Sequence, residues 1–306
     1  MWHKKEISTV EIRSFGRGAN VFFNILVALF AISCLLPLIF IIVISLSSEH
    51  SLVTNGYQFW PSQWSTAGYE YLSKMSGQLM NALGVTVLVT VLGTAINATF
   101  TSTYAYSISR SSFKYRRFFT IFCLITMLFT PGMVANYIVM TNLLQLKDTI
   151  WALILPMAVS PFNIIVMRTF FKRQVNESII EAARIDGASE MRIFIQIVLP
   201  LAVPGIATIS LFAALGYWND WFNALLYIQN THLVPLQYLL MQIQSNIEML
   251  SQNATQGAQY ASGLANIPKE ATQMAMVVIS VAPIALSYPF FQKYFVRGLT
   301  IGGVKE

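Results

Sequence analysis

The residues of this chain best suited to chemistry are charged groups set among very small ones: Glu181, Arg184 and Asp186 stand with Ala182, Ala183, Gly187, Ala188 and Ser189. Small side chains let a second surface approach closely, and charges of both signs fix its orientation. The chemistry this segment supports is docking rather than bond breaking. The same residues also permit an amphipathic helix lying at a membrane interface with no partner. Catalytic groups are missing elsewhere: there is no GxxxxGK[ST] phosphate loop and no HExxH pair, and His3, His50 and His232 are scattered outside the apolar stretches. The chain is therefore expected to be no enzyme and to hold neither metal nor nucleotide of its own.

Spacing predicts a local shape for the docking segment. Ser178 and Glu181 have the separation of a capping box, so a short helix is expected to begin there. Glu181 and Arg184 can pair on one face, Ile180, Ala183 and Gly187 lie along another, and Gly187 offers the left-handed turn that ends such a helix. Met191, Phe194, Ile195, Val198 and Leu199 then repeat at helical spacing, an apolar stripe leading into the next span. Helix, glycine turn, helix is the shape expected over 176–200.

The surrounding elements must be membrane helices. Mean hydropathy is +0.58, and 55% of residues are apolar while only 10% are charged, well below the roughly 25% charged of a soluble domain. Ile25 to Leu46 is an uncharged run long enough for a bilayer core that takes about 20 helical residues. Further apolar stretches near 80–108, 118–141, 149–171, 200–228 and 271–291 bring the expected total to six helices in an all-α polytopic membrane protein. The expected organisation is an N-tail at 1–20, a first transmembrane helix at 21–47, an outer loop at 48–79, a five-helix core at 80–291 with the docking loop at 176–200 and a polar outer loop at 229–270, and a C-tail at 292–306. No small-x-small cleavage site closes the first apolar run, so it is expected to stay as a span. Cys34 and Cys123 fall inside spans and read as small apolar residues.

Charge sets the orientation. With both termini in the cytoplasm, Lys4, Lys5, Arg13, Arg17, Arg110, Lys114, Arg116, Arg117, Arg168, Lys172, Arg173, Arg184, Arg192, Lys293, Arg297 and Lys305 all lie inside, and only Lys74, Lys147 and Lys269 lie outside. A pI of 9.3 is explained by this topology, with no nucleic-acid partner. On the outside, Tyr57, Phe59, Trp60 and Trp64 suit an interfacial belt. The 229–270 connection is rich in amides and hydroxyls, including Gln244, Asn253, Gln256, Gln259 and Tyr260. It could contact a hydroxylated solute or its carrier protein, or serve as a solvated connector.

Asp220 is the acid inside an apolar stretch, within Trp218-Asn219-Asp220-Trp221-Phe222-Asn223. These residues could line a translocation path or outer gate, or simply hydrogen-bond to a neighbouring helix. Pro131-Gly132 and Pro204-Gly205 are expected to loosen their helices, as hinges or as kinks.

The Glu181-Ala182-Ala183 run, with Gly187, Ile197 and Leu199-Pro200 at their offsets, resembles the EAA loop of binding-protein-dependent sugar permeases. These are ABC type I importers, here of the MalG-like subunit type and the LplC/YtcP-like group. The Trp218–Asn223 run and the ending Tyr294–Lys305 are similar to that family as well. The resemblance implies the ABC type I importer transmembrane fold, a multi-pass location in the bacterial inner membrane and a carbohydrate cargo, oligosaccharide in the first instance. It also implies partners: a second homologous permease forming a heterodimer, a dimeric ATPase that binds ATP and Mg, an extracytoplasmic binding protein or lipoprotein, and membrane lipid. Glu181–Ser189 would then be the coupling helix seated in the ATPase, with the C-tail reaching it too. A permease for a non-sugar solute and an ion-driven secondary transporter are the alternatives, the latter lacking paired midplane acids.

Overall fold

The computed structural model describes residues 17–254 and 268–302. In chain order the helices are α1 (Arg17–Ser45), α2 (Glu49–Asn55), α3 (Ala67–Ser73), α4 (Ser76–Ser109), α5 (Arg116–Leu128), α6 (Met133–Ile138), α7 (Ile150–Ile154), α8 (Pro161–Gln174), α9 (Glu177–Ile185), α10 (Glu190–Ile193), α11 (Leu199–Leu201), α12 (Val203–Trp218), α13 (Phe222–Tyr227), α14 (Leu236–Ala254) and α15 (Lys269–Gly302). Among the described residues the one β contact is an isolated antiparallel bridge between Ser47 and Trp64.

Gly18–Ser45, Ser76–Ser109 and Lys269–Ser287 are each long and apolar enough to cross a membrane. Three bent pairs bring the total to six if each counts as one span: Arg116–Leu128 with Met133–Leu143 at 112°, Ile150–Met157 with Pro161–Gln174 at 51°, and Glu190–Leu201 with Val203–Trp218 at 79°. Proline explains the breaks, since it removes a helix amide and clashes with the preceding turn: Pro131 lies in the first, Pro156 and Pro161 border the second, and Pro204 follows the third.

Several expected boundaries move. The 48–79 connection carries α2 and α3, and α4 starts inside it at Ser76. The 229–270 connection is no simple loop either: α14 occupies its first half, burying Leu236, Leu239, Leu240, Ile243 and Ile247 on one face. The last helix runs on to Gly302 instead of giving way to a tail at 292. Gln256, Gln259 and Tyr260, the basic residues Lys4, Lys5 and Arg13, and Lys305 lie outside the described residues.

The chain forms two compact units. One joins the described residues up to Tyr71 to Pro268–Val278, so the start of α15 belongs with the N-terminal part and not with the 80–291 core expected from sequence. Here the Glu49 carboxylate accepts from the amides of Glu270 at 3.1 Å and Ala271 at 3.3 Å, placing negative charge at the positive end of α15. Gly68 lets α3 reach α15: a Cβ at Gly68 would sit 2.8 Å from the Ala271 carbonyl. The apolar face of α1 is exposed from Val21 to Ile42.

The second unit is built on α4, which packs against α12 and α8. Small residues permit close contact. A Cβ on Gly93 would lie 2.5 Å from the Tyr217 ring, and one on Gly205 would lie 2.9 Å from Phe170. Tyr217 in turn donates its hydroxyl to the Ile154 carbonyl at 2.8 Å, and Asn97 Nδ2 donates to the Met157 carbonyl at 3.1 Å. Met157 precedes Pro161 by one turn, so its carbonyl has no helical amide to meet. Outside the spans, Asp148, at φ 57°, accepts from the amides of Gln229 and Asn230 and donates its own amide to the Tyr227 carbonyl. Those two amides hold its carboxyl below the usual carboxylate range.

Gly93→Ala should destabilise the purified protein by about 1–3 kcal/mol through overpacking, whereas Gly84→Ala, with open space around it, should be neutral or slightly stabilising in thermal unfolding. Asp148 contributes stability above the ordinary aspartate pKa of about 3.9, and that contribution is lost as pH falls through its lowered native value. The melting-temperature gap between wild type and Asp148→Ala should therefore be present at neutral pH and close in acid.

Candidate functional site

The docking segment forms as helix, turn, helix, but with a different start. Asn176 is the N-cap of α9, its side chain accepting from the Ser178 amide at 3.2 Å, and Glu177 stands in the first turn. The Ser178–Glu181 capping box does not form, because Asn176 takes the cap position two residues earlier. At the other end Gly187 has φ +79°, the Gly187 amide bonds the Arg184 carbonyl and the Ala188 amide bonds the Ala183 carbonyl, both at 3.0 Å. This is a Schellman closure. Nothing lies within 4 Å of a Cβ built on Gly187, so glycine is required there by backbone conformation and not by space. Ser189 then caps α10, accepting from the Arg192 amide at 3.4 Å.

Burial divides α9 into two faces. Ile180 and Ala183 are buried in a core with Tyr106, Phe171, Ile193, Phe194 and Val198, against which Ala188 packs. Glu181, Ala182, Asp186, Gly187 and Ser189 are exposed, and Ile185 is 86% exposed. Ala183 thus seats the helix and is not part of its exposed face. Ile185 belongs to that face but escaped the sequence reading, which followed the small residues; an isoleucine off the Ile180–Ala183 stripe was its signal. Arg184 does not pair with Glu181. Its Nε donates to Glu190 Oε1 at 2.6 Å and its Nη2 to Ser112 Oγ at 3.3 Å, and the Glu190 bond raises its already high pKa. The expected stripe after Gly187 is also rephased: Phe194–Val198 is a π-turn, whose extra residue per turn buries Ile193, Phe194 and Val198 and leaves Met191 and Ile195 exposed.

The Trp218–Asn223 run is split by the end of α12. Trp218 is buried, donates Nε1 to the Ser280 carbonyl at 3.1 Å and walls a cavity of about 420 Å³ among α4, α12 and α15. That cavity is mostly apolar, though Thr90 and Thr94 reach it and their hydroxyls are buried without a hydrogen-bond partner. Asn219 accepts from Gln237 at 3.4 Å. Asp220 caps the next helix, accepting from the Asn223 amide at 3.1 Å and from its Nδ2 at 2.8 Å. Trp221 is exposed. The run therefore contributes one cavity wall and a capped helix break.

A second, more polar cavity of about 510 Å³ is lined by Gln78, Asn81, Thr231, His232 and Gln242. Of the amide-rich residues singled out from sequence, Gln244 lies on α14 and donates to Glu248 at 3.1 Å, while Asn253 is in its last turn. Neither lines this cavity, whereas Gln78, Asn81 and Gln242 do; Gln78 and Asn81 escaped the reading because they precede the expected start of the span or sit at its edge. No cluster of three or more His, Cys, Asp or Glu suited to a metal occurs among the described residues.

Three broken spans stand beside the unbroken α4, and the short helix α9 packs one face on the core while its other face is exposed. This is the arrangement of an ABC importer's membrane subunit, as its likeness to known proteins shows. The fold matches the crystal structure of a bacterial ABC transporter involved in import of the acidic polysaccharide alginate, with a TM-score of 0.76 and 29% identity, covering 92% of this chain and 99% of that one. The chain belongs to the family described as binding-protein-dependent transport system inner membrane component, whose model matches residues 98–301. It is 38% identical over 271 residues to Protein LplC of Bacillus subtilis, covering 89% of each chain. It is also 38% identical over 278 residues to the polygalacturonan/rhamnogalacturonan transport system permease protein YtcP of the same organism, covering 90% of this chain and 94% of the relative. The resemblance read from the EAA run is borne out, and the secondary-transporter alternative falls.

Gly187→Ala should loosen the α9 closure by about 1–2 kcal/mol, the cost of a Cβ in the left-handed region, with Gly187→Asn costing less. Hydrogen exchange of the segment spanning 177–189 should rise in that order of severity.

Proposed function

We propose that this chain forms half of the transmembrane pathway of an ATP-driven importer for a carbohydrate, oligosaccharide in form, delivered by an extracytoplasmic binding protein. The second half is a homologous permease, and a dimeric ATPase holding ATP and Mg²⁺ docks on the exposed face of α9. Both termini are cytoplasmic in this reading, in keeping with the basic residues concentrated in alternate connections, and the protein resides in the bacterial cytoplasmic membrane. The observation that carries the reading is the α9 face itself. Ile185, Ala182 and Gly187 are exposed beside Glu181 and Asp186, on a helix whose ends are both closed by local hydrogen bonds, so small and apolar groups flanked by charges are presented in a fixed orientation.

Carbohydrate cargo is supported by the polygalacturonan and rhamnogalacturonan of the YtcP relative and by the alginate in whose import the structurally similar transporter is involved. Amide and hydroxyl groups in the cavity lined by Gln78, Asn81, Thr231 and Gln242 supply the paired donors and acceptors that sugar hydroxyls need.

Gly187→Pro removes the amide that meets the Arg184 carbonyl and forbids the left-handed turn. In membranes containing all subunits, it should lower ATP-dependent uptake of labelled oligogalacturonides by on the order of 10- to 100-fold, the range of a lost coupling. Wild-type uptake by the Gly187→Pro complex would refute the docking assignment. Absence of uptake by the wild-type complex, with neutral oligosaccharides transported instead, would keep the assignment and move the cargo.

A further inference from the structure

The exit of α4 holds the docking helix at both of its ends. Ser111 Oγ donates to Glu177 Oε1 at 2.7 Å, in the first turn of α9. Arg184, in the last turn of α9, donates to Ser112 Oγ. Between them stands Arg110, only 4% exposed, which bonds Ser109 Oγ through Nε at 3.0 Å and the Phe171 carbonyl through Nη2 at 3.4 Å. Its guanidinium lies 5.2 Å over the Tyr106 ring. Arg168 on α8 adds a bond to the Ile108 carbonyl at 3.3 Å, so the last turn of α4 is tied to α8 as well.

Arg110 is not fully satisfied. Its Nη1 is buried with no hydrogen bond, and the nearest carboxylate oxygen, Glu177 Oε2, is 3.9 Å away. A buried guanidinium N–H left short of a partner carries a free-energy cost that a closer approach would recover. A small shift of α9 toward the α4 exit would turn this ion pair into a charge-assisted hydrogen bond.

From this arrangement we infer that Arg110, Ser111 and Ser112 act as a clamp that makes α9 and α4 move as one body, with Arg110 the positioning residue. The inference rests on the reading of α9 as the ATPase-docking helix. Apart from the clamp, α9 is linked to the spans by its chain neighbours and by Ile180 and Ala183, which pack into the core that holds Tyr106 of α4. Apolar packing is non-directional, whereas the clamp's polar bonds fix both ends of α9 in register with the α4 exit. With the clamp, a displacement imposed on α9 passes directly into the 34-residue helix α4, which lines the cavity at Thr90 and Thr94.

The test uses the complete importer in nanodiscs, with Cys34 and Cys123 replaced by Ala and Thr90→Cys as a reporter on α4. The quantity read is the ratio of thiol-labelling rates with and without ATP–vanadate. The intact clamp should give a change of about fivefold or more, the lower range for coupled sites. Ser111→Ala with Ser112→Ala, both at exposed positions, should abolish that change while the ATPase still co-purifies and still traps nucleotide. Ser111→Thr with Ser112→Thr keeps the hydroxyls and should restore it, and Glu177→Gln should weaken it. If the double-alanine complex keeps the full ATP-dependent change, or loses its ATPase altogether, the clamp is overturned. Ala182→Trp on the outer face of α9 separates the two ideas. It should eject the ATPase, and if ATPase recruitment and the labelling change both survive it, the docking reading fails and the clamp with it.

Discussion

A carbonyl without an amide partner inside a hydrocarbon layer costs on the order of several kcal/mol, and this chain creates such carbonyls wherever proline breaks a span. The 51° break between Ile150–Met157 and Pro161–Gln174 is the clearest case. Its freed groups are met from two other helices, the Ile154 carbonyl by the Tyr217 hydroxyl of α12 and the Met157 carbonyl by Asn97 of α4. These bonds fix which helices must be neighbours. Gly93 then becomes obligatory, because the Tyr217 ring occupies the space its Cβ would need, and Trp218, next to Tyr217 on α12, is delivered to the cavity wall. Packing density, helix order and cavity position all descend from the need to satisfy backbone groups where water cannot.

At the α9 end the constraint is reversed. There the helix is short, and a nine-residue helix has little stability of its own in water. Asn176 and the Gly187 closure satisfy its terminal groups locally, and Ile180 and Ala183 supply the buried face. Glu177 and Arg184 tie its two ends to the α4 exit and to Glu190, and Glu181, Ala182, Ile185 and Asp186 are left exposed. That an isoleucine at position 185 is almost wholly exposed beside a core that buries Tyr106, Phe171, Ile193 and Phe194 supports the proposal that this face meets another molecule.

Much of this was legible in the sequence. Six apolar stretches, the glycine that ends α9 and the two-helix outline of the docking segment all follow from length, hydropathy and turn chemistry, which are local properties. The capping residue was misplaced because Asn176 and Ser178 are both competent caps and only the path of the chain leaving α8 decides between them. The Glu181–Arg184 pair failed for a related reason: helical spacing permits it, but Glu190, across the turn, offers Arg184 a better geometry. α14 was hidden by composition, its glutamines and asparagines drawing attention away from the Leu236, Leu239, Leu240, Ile243 and Ile247 spacing that marks its buried face. The partners of Tyr217 and Asn97 could not be read at all, since tertiary contacts across some sixty residues leave no periodic trace.

The two routes by which α9 joins the spans differ in stiffness, and that difference bears on how a push would travel. Along the chain, α9 leads through the Gly187 turn, a π-turn and the 79° bend at Ala202 before reaching α12, each of them a place where backbone angles can adjust. Through space it leads from Glu177 and Arg184 to the exit of α4, and from Ile180 and Ala183 into the core that holds Tyr106 of that same unbroken helix of 34 residues. A displacement shared between a compliant path and a stiff one is transmitted mainly by the stiff one, while the compliant one accommodates. On the clamp inferred above, α4 would follow α9 more closely than α12 does, and the wall that Thr90 and Thr94 form would shift relative to the wall that Trp218 forms. Relative motion of two cavity walls, and not motion of either alone, is what such a clamp would need to produce if this cavity belongs to the pathway proposed above.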